Sequence, residues 1–406
     1  MTRLILHPLT LFASVWLLCF GLYAMRLSEL LTFPVAQVGE VVAWVVVPFT
    51  AAILAFNLYY ALAPKIEFHR GGVDLSDDDY LERAEKKIDR WFLYWIGLTI
   101  VEVATSGGVP LLWLMTGSAK NYTEFGLPVV HVFVWTLLLV LAMGKFGLYL
   151  IKGGRGRLLI PAVQLFWGVV IVSRGLILAA LVQAAILWLC LRGISVRAII
   201  RTLVASTLVV LLFGYAGDAR SGGTAFRSLA RPTKNYPAWL PSGVLWMYIY
   251  VTSPLANLAN TTISTKPADD IYFSRTLLFM LPTPMRNAIY GKDFATEQGT
   301  GDLVDERLIV SSAYIGPYLD YGFVGIASYS VVLGLLAAYL WKRRERSLRD
   351  QVLYVIMAQC LMFSIFWNFL FYNPFLGQVF WIFLIFGRKR VKLVSSPKSA
   401  GALLTQ

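Results

Sequence analysis

Apolar residues along this chain fall into long runs separated by short polar stretches. Ten runs stand out, at about 4–25, 35–62, 91–106, 127–150, 158–173, 175–191, 198–216, 317–341, 351–371 and 374–387. Most approach the ~20 residues that carry a helix across a bilayer core. In lipid every backbone N–H and C=O must pair within the protein, so these runs predict spanning helices. The pattern predicts an all-α polytopic membrane protein with about ten transmembrane helices. Two further apolar stretches, 240–258 and 271–290, are interrupted by Pro254, Pro282 and Pro284. They predict helices lying on or dipping into the membrane surface. Were both to cross, the count would be twelve.

This divides the chain into four parts. Residues 1–216 form a seven-span bundle with a loop at 64–90, and 217–316 a large, partly helical loop on the opposite face. Residues 317–390 form a three-span bundle, and 391–406 a disordered tail. In the 64–90 loop, Asp77, Asp78 and Asp79 precede an amphipathic helix at Tyr80–Arg90. Acids suit a helix N-terminus, a simpler reading of the three aspartates than a metal site.

Composition agrees with the pattern. The chain is 58% hydrophobic and only 15% charged, more apolar surface than a soluble fold of 406 residues can hide. The net charge of +13 marks loops on the basic side of a membrane and contact with anionic lipid. Nucleic acid is excluded as a partner, because no soluble domain carries a basic face. With the N-terminus inside, most Lys and Arg fall on the cytoplasmic side, including Arg3, Lys152, Arg192 and the 342–349 cluster. Both termini are then cytoplasmic. The first run is too long for a signal-peptide core and predicts a retained helix. Cys19, Cys190 and Cys360 sit within apolar runs, without metal-ligand spacing.

Charges inside or at the ends of spans are costly and call for a reason. This topology brings Glu40, Glu102, His131, Arg174, Asp218, Arg220 and Asp320 to one depth near the outer face. Arg174 occupies a tight turn, Ser173-Arg174-Gly175. Beyond it, Arg220, Arg227, Arg231 and Lys234 follow Asp218 with no further acid between them. Guanidinium groups match phosphate oxygens in bidentate geometry, so Arg174, Arg220, Arg227 and Arg231 predict an anion site. Glu306, in an acidic and basic stretch before the next span, is within reach of the same face.

Three stretches carry a family resemblance: Thr105–Pro110, Ser173–Gly175, and the aromatic–Asp–aromatic–Gly pattern within Tyr314–Gly325. With the ten-odd spans and one large outer loop late in the chain, these resemble the bacterial O-antigen and oligosaccharide repeat-unit polymerases of the Wzy type. The resemblance implies a GT-C-like fold in the bacterial inner membrane. It also implies an undecaprenyl-pyrophosphate-linked oligosaccharide as substrate, and a chain-length co-polymerase of the Wzz type as partner. The related O-antigen ligases tend to carry a functional histidine in the large outer loop. Here the histidines are His7, His69 and His131, none of them in that loop.

Glycan transfer from a polyprenyl pyrophosphate builds charge on the departing diphosphate, which preorganised cations stabilise. The acceptor hydroxyl must lose a proton to a nearby base. Asp320 is the first candidate and Asp218 the second, followed by Glu102 and Glu306. Tyr250, Tyr314, Tyr318 and Tyr321 are candidate sugar-stacking rings. No metal or other cofactor is expected, because the donor is already activated. A ligase, a lipid-linked glycan flippase and a non-enzymatic scaffold remain the alternatives.

Overall fold

A computed structural model describes residues 2–31, 33–62, 78–193, 224–268, 274–291 and 301–387, with isolated positions between 195 and 215. Asp218, Arg220 and the 391–406 tail lie outside the described residues, as does most of the run at 198–216. The described residues are helical, with no strand and a single antiparallel bridge between Ser28 and Pro232.

Fourteen α-helices are described. The first eight are α1 (Thr2–Ile5), α2 (Pro8–Ala24), α3 (Val35–Leu62), α4 (Asp78–Ser106), α5 (Pro110–Thr116), α6 (Val130–Lys152), α7 (Leu159–Val170) and α8 (Arg174–Arg192). Then come α9 (Thr224–Ala230), α10 (Ser242–Ser264), α11 (Thr283–Tyr290), α12 (Ile315–Arg343), α13 (Leu348–Phe363) and α14 (Asn373–Phe386). Five segments are long and apolar enough to cross a membrane: α3, α4 running on to Thr116, α6, α8 and α12. Helices α2 and α14 are shorter apolar helices. The protein is therefore a helical membrane protein with five such spans among the described residues.

Helix α6 runs through the middle of the bundle, buried along most of its length, and packs against α4, α7, α8 and α14. Helix α13 is buried along almost its whole length. Helix α12 lies along α3. The outward faces of α3 and α4 expose Val47, Leu54, Leu58, Leu93, Ile100 and Val101. An exposed apolar belt of this kind is the face a helix turns to lipid.

The amphipathic segment at Tyr80–Arg90 is not a separate helix. It is the start of α4, which continues unbroken into the apolar run. The continuation has a physical cause. Lys145, inside α6, reaches Glu85 at 3.0 Å and Asp89 at 2.8 Å, and Arg157 binds both oxygens of Glu85 at 2.9 Å. These pairs dock the polar turns of α4 against the bundle. Asp78 and Asp79 occupy the first turn of α4, and Asp78 pairs with Lys152 at 2.9 Å.

Within 271–290 the described residues form no crossing helix. They contain one 3-10 turn at Leu278–Met280 and the eight-residue α11, with Pro282 and Pro284 preventing a longer run. Helix α10 packs on α2, α3, α9 and α12. Its buried Asn257 donates to the Leu308 and Val310 carbonyls at 2.7 and 2.8 Å and accepts from Val304 N–H at 2.9 Å. The 301–310 segment is thereby laced to α10.

Helix α12 breaks near its start. Tyr321 (φ −143°) and Gly322 (φ 60°, ψ −143°) leave helical geometry there. That combination at residue 322 is essentially restricted to glycine. The aromatic–Asp–aromatic–Gly stretch is thus a kink.

Candidate functional site

The tight turn between α7 and α8 is built by backbone pairing. Ser173 N–H donates to the Gly168 carbonyl at 2.9 Å, Val172 adopts φ 54°, and the Ser173 hydroxyl caps α8 by accepting from Leu176 N–H at 3.3 Å. Arg174 is the first residue of α8 and is exposed. A cation at the positive end of a helix dipole is unfavourable unless an anion joins it. Among the described residues no carboxylate forms an ion pair with Arg174. A guanidinium beside the open N–H groups of a helix start is an arrangement whose chemistry suits an anion.

Ser173 and Gly175, on either side of Arg174, line a cavity of about 590 Å³. Its walls are largely apolar and rich in aromatic rings, among them Trp135 of α6, Tyr250 of α10, and Phe366, Trp367 and Tyr372 between α13 and α14. Tyr250 stacks on Phe366 with ring centroids 5.9 Å apart. The Trp367 indole N–H is buried and has no acceptor among the described residues. The polar groups farther along the wall are Gln359 and Gln378, both bonded to the buried Gln183 at 2.6 and 2.8 Å. An apolar, aromatic-rich chamber with a cation between two of its lining residues suits an amphiphile carrying an anionic head.

Glu102 and His131 meet at the same end of the bundle as Arg174. Glu102 is 1% exposed, and the His131 Nδ1 lies 3.1 and 3.3 Å from its two oxygens. The buried carboxylate holds the ring by its Nδ1 side. Gly126, at φ 92°, lets the ring lie against the chain there, since a Cβ would overlap it. Phe125 packs edge-on against both His131 (5.5 Å) and Trp167 (6.1 Å). Trp135, one helical turn beyond His131 on the same face of α6, reaches the cavity wall. His131, Trp135 and the Arg174 turn thus surround one small aromatic core that includes Trp113, Phe125, Ile171 and Leu176.

The other predicted residues lie elsewhere. Asp320 is fully buried, and its carboxylate accepts from Arg275 N–H (3.1 Å), Thr276 N–H (2.8 Å) and the Thr276 hydroxyl (2.6 Å). The Arg275 guanidinium adds a contact at 3.7 Å. This carboxylate pins the 275–276 turn onto the start of α12. Tyr314 is core, packed on Trp16 and Tyr329. The Tyr318 hydroxyl bonds the Thr262 and Thr265 carbonyls, and Tyr321 sits at the kink. Of the four tyrosines, Tyr250 is the one on the cavity wall. Arg227 lies over the Tyr236 ring and donates to the Ala238 carbonyl. Arg231 accepts from Glu29 N–H through its carbonyl and stands near Asp305. Glu306 is exposed, while its neighbours Asp305 and Arg307 pair at 2.7 Å.

Sequence reasoning missed the aromatic wall at Phe363–Tyr372, which reads as the end of the 351–371 run. Asn368 and the Asn373-Pro374 pair were the available signs of a break. It also missed Arg275, the guanidinium facing Asp320, because 45 positions separate the two. Comparison of the chain with protein-family models, curated proteins and solved structures found no match.

Proposed function

We propose that this protein joins lipid-linked oligosaccharide units at the outer face of a bacterial inner membrane, as a repeat-unit polymerase. The observation carrying the reading is Arg174, without an ion pair among the described residues, at the N-terminus of α8 between two residues, Ser173 and Gly175, that line an aromatic-rich cavity. A polyprenyl diphosphate has the matching halves: a dianionic head for Arg174 and the α8 amides, and an apolar tail for the cavity.

In this reading the acceptor sugar hydroxyl attacks the anomeric carbon of the donor glycan. The C–O bond to the diphosphate breaks, and the electron pair leaves with the diphosphate. Arg174 stabilises that growing charge. The hydroxyl proton passes to Nε2 of His131, and Glu102 balances the imidazolium that forms. The base role thereby moves from Asp320, whose oxygens are engaged by three donors, to the Glu102–His131 pair. Tyr250 offers a ring face for a sugar beside the cavity.

The test is glycan analysis of cells carrying Arg174→Ala or His131→Ala. We expect single lipid-linked units to persist, long chains to disappear, and the protein to remain in the membrane at its usual level. Normal chain lengths in both variants would overturn the reading. A ligase would instead leave finished polymer on its lipid carrier when the protein is removed.

A further inference from the structure

The opposite end of the bundle holds a second concavity, of about 510 Å³, where α1 meets the end of α12. It is lined by Arg3, Leu4, His7, Trp341, Lys342, Arg344 and Glu345. Its floor is rigid. The Arg344 guanidinium lies 3.3 Å over the Trp341 ring and donates to the Trp341 carbonyl at 2.6 Å. His7 packs edge-on against the same indole at 5.5 Å. Its Nδ1 is occupied in accepting from Leu9 N–H.

The charges here do not balance. Arg3, Lys342 and Arg344 face one carboxylate, Glu345, which is 3.5 Å from Arg3 and 2.5 Å from Arg344. The nearby Asp350 is taken by Arg343 at 3.6 Å and Arg349 at 3.2 Å. The concavity is left with surplus positive charge. Beside it the surface is apolar. Lys342 sits over the Tyr60 ring at 5.2 Å, and the adjacent end of α3 exposes Leu58 (61%) and Leu62 (73%). Leu4 of α1 is 69% exposed. Cations over a stacked aromatic floor, continuous with exposed leucines, match a phosphodiester with acyl chains.

We propose that this concavity binds the headgroup of an anionic phospholipid from the leaflet at the basic end of the bundle. The phosphodiester sits between Arg3, Lys342 and the Arg344 edge. The acyl chains run along Leu4, Leu58 and Leu62. The site is remote from Arg174 and does not depend on the reaction proposed there.

The experiment uses the full chain purified in a neutral detergent, with bound lipid counted by native mass spectrometry during titration. The probes are phosphatidylglycerol and phosphatidylcholine with identical chains, and inorganic phosphate. We expect phosphatidylglycerol to be retained in preference to phosphatidylcholine. The double variant Arg3→Gln/Lys342→Gln should weaken that binding roughly thirtyfold, while Arg3→Lys/Lys342→Arg should keep it. Both positions are exposed, and Arg344 is left in place so that its stack on Trp341 survives. Equal affinity for the two lipids, an unaffected double Gln variant, or displacement of the lipid by equimolar inorganic phosphate would each overturn the assignment.

Discussion

At the scale of single residues, bonding partners separate side chains that hold the fold from side chains with a group left over. Asp320 and Glu102 are both buried carboxylates near the start or end of a long helix, and sequence alone ranked Asp320 higher. Their partners reverse the order. Asp320 faces two backbone amides, a hydroxyl and a guanidinium, whereas Glu102 faces a half-buried imidazole whose second nitrogen can exchange a proton. Sequence could place Glu102 and His131 at one depth, because each ends or begins an apolar run. It could not show that Gly126 makes room for the ring. We expect His131→Ala to lower turnover about 10²–10⁴-fold, the usual loss of a general base. Glu102→Gln should cost less, because the imidazole stays while its orientation and charge balance weaken. Turnover of purified variants with a lipid-linked donor measures both, and equal activity of His131→Ala and wild type would remove His131 from the reaction.

At the scale of elements, hydropathy located α2, α3, α6, α8 and α12 to within a few residues. It divided α4 in two, reading an amphipathic helix at 80–90 apart from a span at 91–106, where one helix runs through both. Local hydropathy cannot see Lys145 waiting inside α6 to pair with Glu85 and Asp89, which docks the polar turns against the bundle. It also failed at α13. The run at 351–371 reads as one span, yet the helix stops at Phe363 and the following aromatics fold back as the cavity wall. The kink in α12 was visible as a glycine after an aromatic, but not as a break. Gly322 there has a backbone conformation that a side chain strains by about 1–3 kcal/mol. A Cβ would also crowd Pro267 at 3.1 Å. We expect Gly322→Ala to lower the thermal midpoint of the purified protein. An unchanged midpoint would mean that the break is not held by this residue.

At the scale of the whole molecule, the loop bordering the cavity ties overall stability to pH. Asp305 is held by the Arg307 guanidinium, which pulls its carboxyl from an ordinary 3.8 down to about 2. A carboxyl depressed by folding stabilises the fold above its unfolded value, and that stabilisation disappears as pH falls through the folded one. Asp305→Asn should therefore be less stable than wild type above about pH 4, with the gap closing toward about pH 2. Unfolding midpoints of the two proteins across that range check it, and a gap independent of pH would refute it. The pair is partly exposed, so the gap is small and shrinks in salt.

The cavity gives the molecule-wide reading its sharpest test, because its wall contains a position that is nearly free to change. Gly175 is the second residue of α8 and lines the chamber, and a Cβ built there meets nothing within 4 Å. It carries no positive φ, so a side chain there meets no backbone strain. Gly175→Phe should therefore leave the protein as stable as before while filling the space beside Arg174. If a polyprenyl tail occupies the chamber, the lipid-linked donor loses its seat. The apparent KM should rise severalfold, or long chains should vanish in cells, with Arg174 still present. If the chamber is only a gap among aromatic rings, the added benzyl group changes nothing. Gly175→Ala separates the two further, since one methyl group removes little volume and should preserve activity. Unaltered donor affinity in a stable Gly175→Phe protein would detach Arg174 from the cavity and leave the proposed anion site without its lipid.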